Sequence, residues 1–310
     1  MEILLQCLLL VLGFAMLVKG ADWFVDGAAG IADRFGVPQL VIGLTIVAMG
    51  TSAPEAAVSI TAGLKGNAGI TIGNIVGSNI LNILIILGVT SVIVAVAVAQ
   101  STIRYEIPYM LVVTLLLLWM GYTGNAVTFA EGIVLWIVFV AYLIYLYVMA
   151  KRDKAEVTEE NRKMPMGKLL VLVLAGLVLI VWGSDVTVDA ATALAKGIGL
   201  SDRFIGLTIV ALGTSLPELF TSVSATIKGK ADIAIGNIVG SNIFNILFVI
   251  GTTALITPVI FESKFVTDTL IAFGAGVLLL LCVLRKKKLT RIHGVIMLLC
   301  YGAYFVYLLE

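Results

Sequence analysis

Residues 43–84 read GLTIVAMGTSAPEAAVSITAGLKGNAGITIGNIVGSNILNIL, and residues 206–247 read GLTIVALGTSLPELFTSVSATIKGKADIAIGNIVGSNIFNIL. The two stretches align at a constant offset of 163 without a gap, and 29 of their 42 positions are identical. Self-similarity at a fixed offset indicates a duplicated structural unit. The chain is therefore expected to fold as two equivalent halves, and each identical residue of one repeat has an image in the other.

The composition decides the class of protein. Of the 310 residues, 60% are hydrophobic and only 13% are charged, and the mean hydropathy is +1.11. A soluble domain carries about 25% charged residues, so this chain has too little polar surface to form a water-soluble globule. Soluble enzymes, disordered chains and nucleic-acid-binding proteins are therefore excluded. The long apolar runs favour an integral membrane protein made of helices rather than a β-barrel.

Ten apolar segments are candidates for membrane-spanning helices, which need about 20 apolar residues each. The one long polar stretch, residues 151–168, divides them into two sets of five. We therefore predict a first five-helix repeat at 1–150, a cytoplasmic linker at 151–166 and a second five-helix repeat at 167–310. The predicted spans are residues 3–25, 36–64, 68–99, 105–121, 126–150, 167–190, 200–227, 231–259, 266–284 and 290–308.

The orientation of the two halves follows from parity and charge. Five is an odd number, so the second half must enter the membrane from the opposite side, and the repeats are predicted to be inverted. Lys and Arg accumulate in cytoplasmic loops. With both termini outside, 15 of the 20 Lys and Arg residues lie inside and four lie outside. We therefore predict a multi-pass protein of the plasma or inner membrane, with residues 151–168 in the cytoplasm.

Two acidic residues, Glu55 and Glu218, lie in the middle of apolar segments, and each is the image of the other. Burying an ionised carboxylate in a membrane is costly, so such a residue needs a partner or a function. Every Lys and Arg, and the single His293, lies near a predicted membrane interface. A mobile cation is therefore the predicted partner of both carboxylates. The alternative is a structural glutamate that is buried and hydrogen-bonded.

Each of these glutamates ends a GTSxPE motif, in which Pro54 or Pro217 precedes it. Proline has no N–H to donate and clashes with the preceding helical turn, so it predicts a helix break just before each glutamate. The break is expected to free the carbonyl groups of residues 48–50 and 211–213. Broken helices at membrane depth are tolerated where they line a cavity, and free carbonyls there coordinate cations. The motif therefore predicts broken helices at the midplane.

Hydroxyl and amide side chains accompany the glutamates. Thr51 and Ser52 lie four and three residues before Glu55, so they share a helix face with it. The next segment of each repeat carries a polar residue every four positions, and these stripes supply oxygen ligands of the kind that Ca²⁺ and Na⁺ prefer. Interhelical hydrogen bonding is the alternative use of the stripes. They consist of Asn74, Ser78 and Asn82 in the first repeat and Asn237, Ser241 and Asn245 in the second.

At GTSAPE…GNIVGSNILN and GTSLPE…GNIVGSNIFN the chain strongly resembles the cation/calcium exchanger superfamily, and most of all its prokaryotic sodium/calcium exchangers. The resemblance implies one cluster of Na⁺ and Ca²⁺ sites at the bilayer midplane, alternating access by sliding of the first and sixth spans, and no cofactor. The implied ligands are the carboxylates of Glu55 and Glu218, the hydroxyls of Ser52, Ser215, Ser78 and Ser241, the carbonyls of Ala48, Ala211, Thr51 and Thr214, and the side chains of Asn82 and Asn245.

Other functions stay open as alternatives. Some relatives carry Asp where this chain has Asn245, which disfavours K⁺-dependent exchange, and the proton-coupled branch resembles GNxxE rather than GTSxPE. A cation channel more often surrounds its pore with several subunits, whereas an inverted repeat in one chain favours a transporter. An enzyme is disfavoured because no His or Lys neighbours Thr51, Ser52 or their images. The predicted partners are the two ions and the lipid bilayer, and no protein partner is predicted.

Overall fold

The computed structural model describes residues 2–65, 69–153, 164–197 and 211–309, and these ranges are almost entirely helical. A short helical turn, Ala211–Gly213, precedes the eighth helix. The helices are α1 (Glu2–Phe35), α2 (Gln39–Thr51), α3 (Ala53–Leu64), α4 (Thr71–Ile93), α5 (Thr102–Gly124), α6 (Phe129–Arg152), α7 (Met166–Gly197), α8 (Leu216–Ile227), α9 (Ala231–Ile256), α10 (Lys264–Leu284) and α11 (Arg291–Leu309).

Eight of these helices are long and apolar enough to cross a membrane, and the bent pair α2–α3 makes a ninth if it is counted as one span. The image of that pair is the predicted span 200–227, of which residues 200–210 lie outside the described ranges. Large apolar side chains cover the outer surface, Leu8, Trp119 and Trp182 among them. The chain is an all-helical, multi-pass membrane protein, while the count of ten spans stays a prediction.

The helix breaks at the proline motif, as the sequence predicts. α2 and α3 meet at a bend of 50°, and Ser52, between them, has φ −82° and ψ 8°. Ser215 occupies the same place before α8, with φ −93° and ψ 3°. Pro54 and Pro217 lie at the start of the helix that follows, where a missing N–H costs no intrahelical hydrogen bond. The glutamate after each proline therefore lies in an N-terminal helical turn.

α4 and α9 form the centre of the bundle. In the most apolar part of each helix, 78% of α4 and 94% of α9 is buried, whereas the other full-length spans of the described chain reach at most 39%. Each central helix passes through a π-helical segment, Asn82–Leu87 or Asn245–Ile250, that begins at a predicted ligand. π-helical turns are rare and frequently occur at functional sites. The two central helices thus present their asparagines at equivalent irregularities.

α1 and α7 are images of one another and pack side by side. A Cβ added at Gly20 would lie 2.8 Å from the Gly176 carbonyl oxygen, and one at Gly13 would lie 3.1 Å from that of Gly183. The absence of side chains at these positions allows this close approach of the two backbones. Residue numbers rise along α1 as they fall along α7 at these contacts. The two image helices are therefore antiparallel.

Short strands join loops of the first half to loops of the second. β1 (Val96–Ala97) pairs with β4 (Lys288–Leu289), and β2 (Ala126–Val127) pairs with β3 (Val259–Ile260), both antiparallel. The full length of α5 separates β1 from β2, so the two pairs lie at opposite ends of the bundle. At each end of the bundle, a loop of the first half is thus paired with a loop of the second half.

Candidate ion-binding site

Glu55 and Glu218 come from different repeats and meet in one cluster, where each is only 1% exposed. Ser52 Oγ donates a hydrogen bond of 2.8 Å to Glu218 Oε1, and Ser215 Oγ donates one of 3.5 Å to Glu55 Oε1. Each repeat therefore supplies a hydroxyl group to the carboxylate of the other. Both glutamates lie in N-terminal helical turns, where the helix dipole favours negative charge.

Among the predicted ligands, four side-chain oxygen atoms are buried without a hydrogen-bond partner: Glu55 Oε2, Glu218 Oε2, Asn82 Oδ1 and Asn245 Oδ1. They form two symmetry-related pairs, with one carboxylate and one amide from each repeat. The salt bridges within the described ranges include neither glutamate. Buried polar groups are almost always hydrogen-bonded, so each exception needs an explanation. Four electron-pair donors carrying two negative charges suit a hard cation.

A cross-brace of asparagines orients the two amides. Asn79 Nδ2 donates to the Asn242 carbonyl at 3.1 Å, and Asn242 Nδ2 donates to the Asn79 carbonyl at 3.2 Å. The side-chain oxygens of this pair then accept hydrogen bonds from Asn245 Nδ2 at 3.1 Å and from Asn82 Nδ2 at 2.9 Å. Because the nitrogens of Asn82 and Asn245 are committed to these bonds, their oxygens remain available to a ligand.

Neither Asn79 nor Asn242 stands out in the sequence as a functional residue. The only signal is that each is identical to its image and lies three residues before a predicted ligand asparagine. Their partners come from the opposite repeat, and a contact of that kind has no signature within one segment. They orient the Asn82 and Asn245 amides, and the side-chain and main-chain oxygens of both residues accept hydrogen bonds.

Asn74 and Asn237, the first members of the polar stripes, brace the glutamate turns. Asn74 Nδ2 donates to Ser59 Oγ at 2.9 Å and to the Glu55 carbonyl at 3.4 Å. Asn237 Nδ2 donates in the same way to Ser222 Oγ at 3.0 Å and to the second glutamate carbonyl at 3.3 Å. These two stripe positions therefore form interhelical hydrogen bonds, which is the alternative use of the stripes.

The prediction that the helix break frees the Ala48 carbonyl is wrong. This carbonyl accepts a backbone hydrogen bond from Ser52 N–H at 3.0 Å and a side-chain bond from Ser241 Oγ at 3.3 Å. Proline removes a donor only from the residue four positions before it, which is Gly50 for Pro54. Any contribution of Ala48 to ion binding would therefore involve a carbonyl that already accepts two hydrogen bonds.

The remaining predicted ligands differ in how far the structure describes them. Thr51 is fully buried, and its hydroxyl donates to Asn237 Oδ1 at 2.9 Å. Ser78 is buried at 3% exposure. Thr214 is half-buried, and Ala211 is described by its backbone alone. The structure thus brings together both glutamates and both serines of the GTSxPE motifs, and it pairs each asparagine that begins a π-helical segment with an asparagine of the opposite repeat.

The two sides of the cluster are not alike. On the side where α3 faces α7, a cavity of about 500 Å³ is lined by Pro54, Thr214 and Asp185, among others. On the image side, where α8 faces α1, the Phe14 and Phe220 rings lie 6.0 Å apart and α8 packs against the α1 core. The cavity between α3 and α7 therefore extends to Pro54, the residue directly before Glu55. On the image side, aromatic side chains fill the corresponding space.

A third buried carboxylate, Glu106, was not expected from the sequence. It is fully buried at the start of α5, and Tyr145 donates a hydrogen bond to its Oε1. Its Oε2, Thr102 Oγ1 and Tyr142 Oη are buried without a hydrogen-bond partner. A cavity of about 360 Å³, whose lining includes four tyrosines, adjoins it. Glu106 lies two residues after Arg104, near the predicted start of a span. A charged residue at a membrane interface is expected to be exposed, so the sequence did not predict its burial.

Comparison with known proteins covers nearly the whole chain. A family model described as "Sodium/calcium exchanger protein" matches residues 5–148 and 168–310. CaxA of Alkalimonas amylolytica is 39% identical over 97% of this chain and 98% of its own length. The sodium/calcium exchanger MaX1 of Methanosarcina acetivorans is 31% identical over 97% of both chains. A solved structure of the sodium-calcium exchanger NCX_Mj, soaked with 10 mM Na⁺, superposes with a TM-score of 0.85 at 32% identity, covering 98% of this chain and 99% of that one.

Proposed function

Because this chain belongs to the sodium/calcium exchanger family, we propose that it exchanges Na⁺ for Ca²⁺ across the membrane by alternating access to one shared site. Both repeats contribute equally to that site, and Na⁺ and Ca²⁺ are the transported ions. The protein is a transporter rather than an enzyme, and transport of these ions needs no cofactor.

One observation carries the proposal: two carboxylate and two amide oxygens are buried in the two repeats without a hydrogen-bond partner. The two negative charges of Glu55 and Glu218 are balanced by one Ca²⁺ or by two Na⁺. Loading both kinds of ion in full would leave excess positive charge in a low-dielectric interior, where charge repulsion is strong. The ions therefore compete, and this competition is what couples the movement of one to the movement of the other.

The proposed ligand set combines the charged pair with the surrounding neutral oxygens. Ser52 and Ser215 already contact the carboxylates, so their hydroxyl groups need only rotate to face an ion. The full set is Glu55, Glu218, Ser52, Ser215, Ser78, Ser241, Asn82 and Asn245 through side chains, with the carbonyls of Ala48, Ala211, Thr51 and Thr214.

We further propose that residues 1–150 and 167–310 are inverted five-helix repeats, with both termini outside and residues 151–168 in the cytoplasm. The antiparallel packing of α1 and α7 supports the inversion, because images related by the 163-residue offset run in opposite directions. The strand pairs support the topology. In the proposed orientation, the loops of β1 and β4 both lie inside, and those of β2 and β3 both lie outside.

The test is uptake of ⁴⁵Ca²⁺ into proteoliposomes that contain the purified protein and are loaded with Na⁺, with K⁺ or with an acidic buffer. The proposal predicts that an outward Na⁺ gradient drives Ca²⁺ uptake and that an outward K⁺ or H⁺ gradient alone does not. The matched control is Glu218→Gln, which keeps the side-chain shape and removes one of the two charges. Uptake driven by a pH gradient without Na⁺ would overturn the proposal in favour of a proton-coupled exchanger.

A further inference from the structure

An ion-pair cluster joins α1 to the end of α8 on the filled side of the site. Lys228 Nζ at the end of α8 lies 2.8 Å from Asp26 Oδ2 and 3.3 Å from Asp22 Oδ1 on α1. Lys230 Nζ lies 3.2 Å from Asp26 Oδ1. Ser224 Oγ also donates to Asp22 Oδ1 at 2.7 Å. Two lysines and two aspartates therefore tie the end of α8 to the face of α1.

The 163-residue offset gives this cluster an image on the open side. Lys65 is the image of Lys228, and Asp185 and Asp189 are the images of Asp22 and Asp26. In the described part of the chain, Lys65 forms no salt bridge with either aspartate. Asp185 and Asp189 instead line the cavity of about 500 Å³ between α3 and α7. Lys228 is thus paired with Asp22 and Asp26, whereas its image Lys65 is not paired with Asp185 or Asp189.

We propose that Lys65 is a positioning residue for exchange, which closes the α3–α7 side by pairing with Asp185 and Asp189 when the Lys228 cluster opens. This inference rests on the proposed alternating access. Lys65, Asp185 and Asp189 are the images of Lys228, Asp22 and Asp26, so the contacts of Lys228 with α1 describe how Lys65 would meet α7. A shift of the α1–α7 pair along α3 and α8 breaks one set of contacts and makes the other.

Sequence differences between the repeats bias this equilibrium. The image of Lys230 is Asn67, so the engaged cluster contains one more lysine than its image. The image of Phe220 is Ala57, so the engaged side also has a ring where the other has a methyl group. Both differences favour the conformation in which α8 is closed on α1, which is the conformation of this structure.

The first test is crosslinking in reconstituted full-length protein, with Cys7, Cys282 and Cys300 replaced by serine. One double variant carries Lys228→Cys and Asp26→Cys, and the other carries Lys65→Cys and Asp189→Cys. A short bifunctional thiol reagent is applied across a series of Na⁺ and Ca²⁺ concentrations. Both pairs should crosslink, and ion conditions that raise the yield of one should lower that of the other. Absence of the Lys65–Asp189 crosslink under every ion condition would overturn the inference.

The second test keeps Asp26, which pairs with both lysines, uses a cysteine at position 22 as the reporter and changes the lysine count. Lys230→Asn makes the engaged cluster equivalent to its image. The ion pairs are partly exposed, with side-chain exposures of 23% for Lys230 and 42% for Asp26. Partly exposed pairs of this kind shift an equilibrium by about two- to fivefold. Lys230→Asn should therefore raise accessibility of Asp22→Cys to a water-soluble thiol reagent by this factor. Lys264→Gln, which removes an exposed pair with Glu262, is the matched control.

The outcomes separate this inference from the proposed function. Na⁺-dependent Ca²⁺ flux in the wild type, with no change of accessibility in Lys230→Asn, would contradict the inference and leave exchange intact. Reciprocal crosslinking without any Na⁺-dependent flux would contradict the proposed exchange and support the role of Lys65 in closure.

Discussion

Charge is the property of Glu55 and Glu218 on which the site depends. The two carboxylates are buried together, receive hydroxyl donors from opposite repeats and form no salt bridge with the described basic residues. Leaving them uncompensated in the membrane would be costly. In the proposed site, their charge sets both the affinity for cations and the number of ions that the cluster holds.

Replacing either glutamate by glutamine tests this dependence. Glu55→Gln and Glu218→Gln retain the shape and remove one charge each. Losing one partner of a buried ionic interaction costs about 3 kcal/mol or more, which corresponds to at least about a hundredfold in affinity. Each variant should therefore nearly abolish Ca²⁺ binding, measured by titration calorimetry on folded protein. The control is Glu131→Gln, because glutamine also suits the capping position that Glu131 occupies. Normal Ca²⁺ affinity in either site variant would refute a shared site.

The asparagine brace gives a second residue-scale prediction. Asn79→Ala leaves Asn245 Nδ2 without its acceptor, and the Asn245 amide then loses its fixed orientation. A net hydrogen bond contributes about 1 kcal/mol, so Ca²⁺ affinity should fall by about fivefold, far less than in the glutamate variants. Asn242→Ala should have the same effect, because it is the image position. Unchanged affinity in both variants would mean that the brace does not position the ligands.

At the scale of elements, the sequence predicts the broken helices and not all of their consequences. Pro54 and Pro217 predict the breaks, because the missing N–H of a proline acts within its own segment and needs no contact with the rest of the chain. The fate of the Ala48 carbonyl depends on Ser241 from the other repeat, so it is invisible in the motif. The asparagine brace and the burial of Glu106 are hidden for the same reason, since both arise from contacts between distant segments.

The proposed movement depends on the contact between α1 and α7. A Cβ at Gly20 would lie 2.8 Å from the Gly176 carbonyl and 2.9 Å from the Ile180 amide nitrogen, so both neighbours are backbone atoms. Gly20→Ala should separate the helices and destabilise the protein by about 1–3 kcal/mol. Thermal unfolding in detergent measures the effect, and Gly274→Ala is the control because nothing lies within 4 Å of a Cβ there. Equal melting temperatures in the two variants would contradict the tight α1–α7 packing.

At the scale of the whole molecule, the duplication, the odd number of predicted spans and the charge bias are properties of the full sequence. They predict the inverted architecture without any knowledge of tertiary contacts. Only the folded chain reveals that its two sides differ, because a cavity lies between α3 and α7 while Phe14 and Phe220 pack together on the image side. The inverted architecture is therefore a prediction from the sequence alone, while the conformation depends on packing between the repeats.

The proposed topology makes a direct prediction for whole cells. Single cysteines introduced by Glu159→Cys and by Leu309→Cys, in a background without native cysteines, should be labelled from opposite faces of the membrane. A membrane-impermeant thiol reagent added outside should reach position 309 and leave position 159 unlabelled until the cells are opened. Labelling of both positions from outside would eliminate the inverted-repeat arrangement.

The central claim is that Na⁺ and Ca²⁺ occupy one shared cluster, and Ca²⁺ binding at rising Na⁺ concentration tests it most directly. For a site with two negative charges, two Na⁺ replace one Ca²⁺, so the apparent Kd for Ca²⁺ should rise about as the square of the Na⁺ concentration while binding capacity stays constant. Asn245→Asp adds a carboxylate and should lower the Kd at every Na⁺ concentration. A fall in Ca²⁺ capacity at constant Kd as Na⁺ rises would contradict the shared cluster.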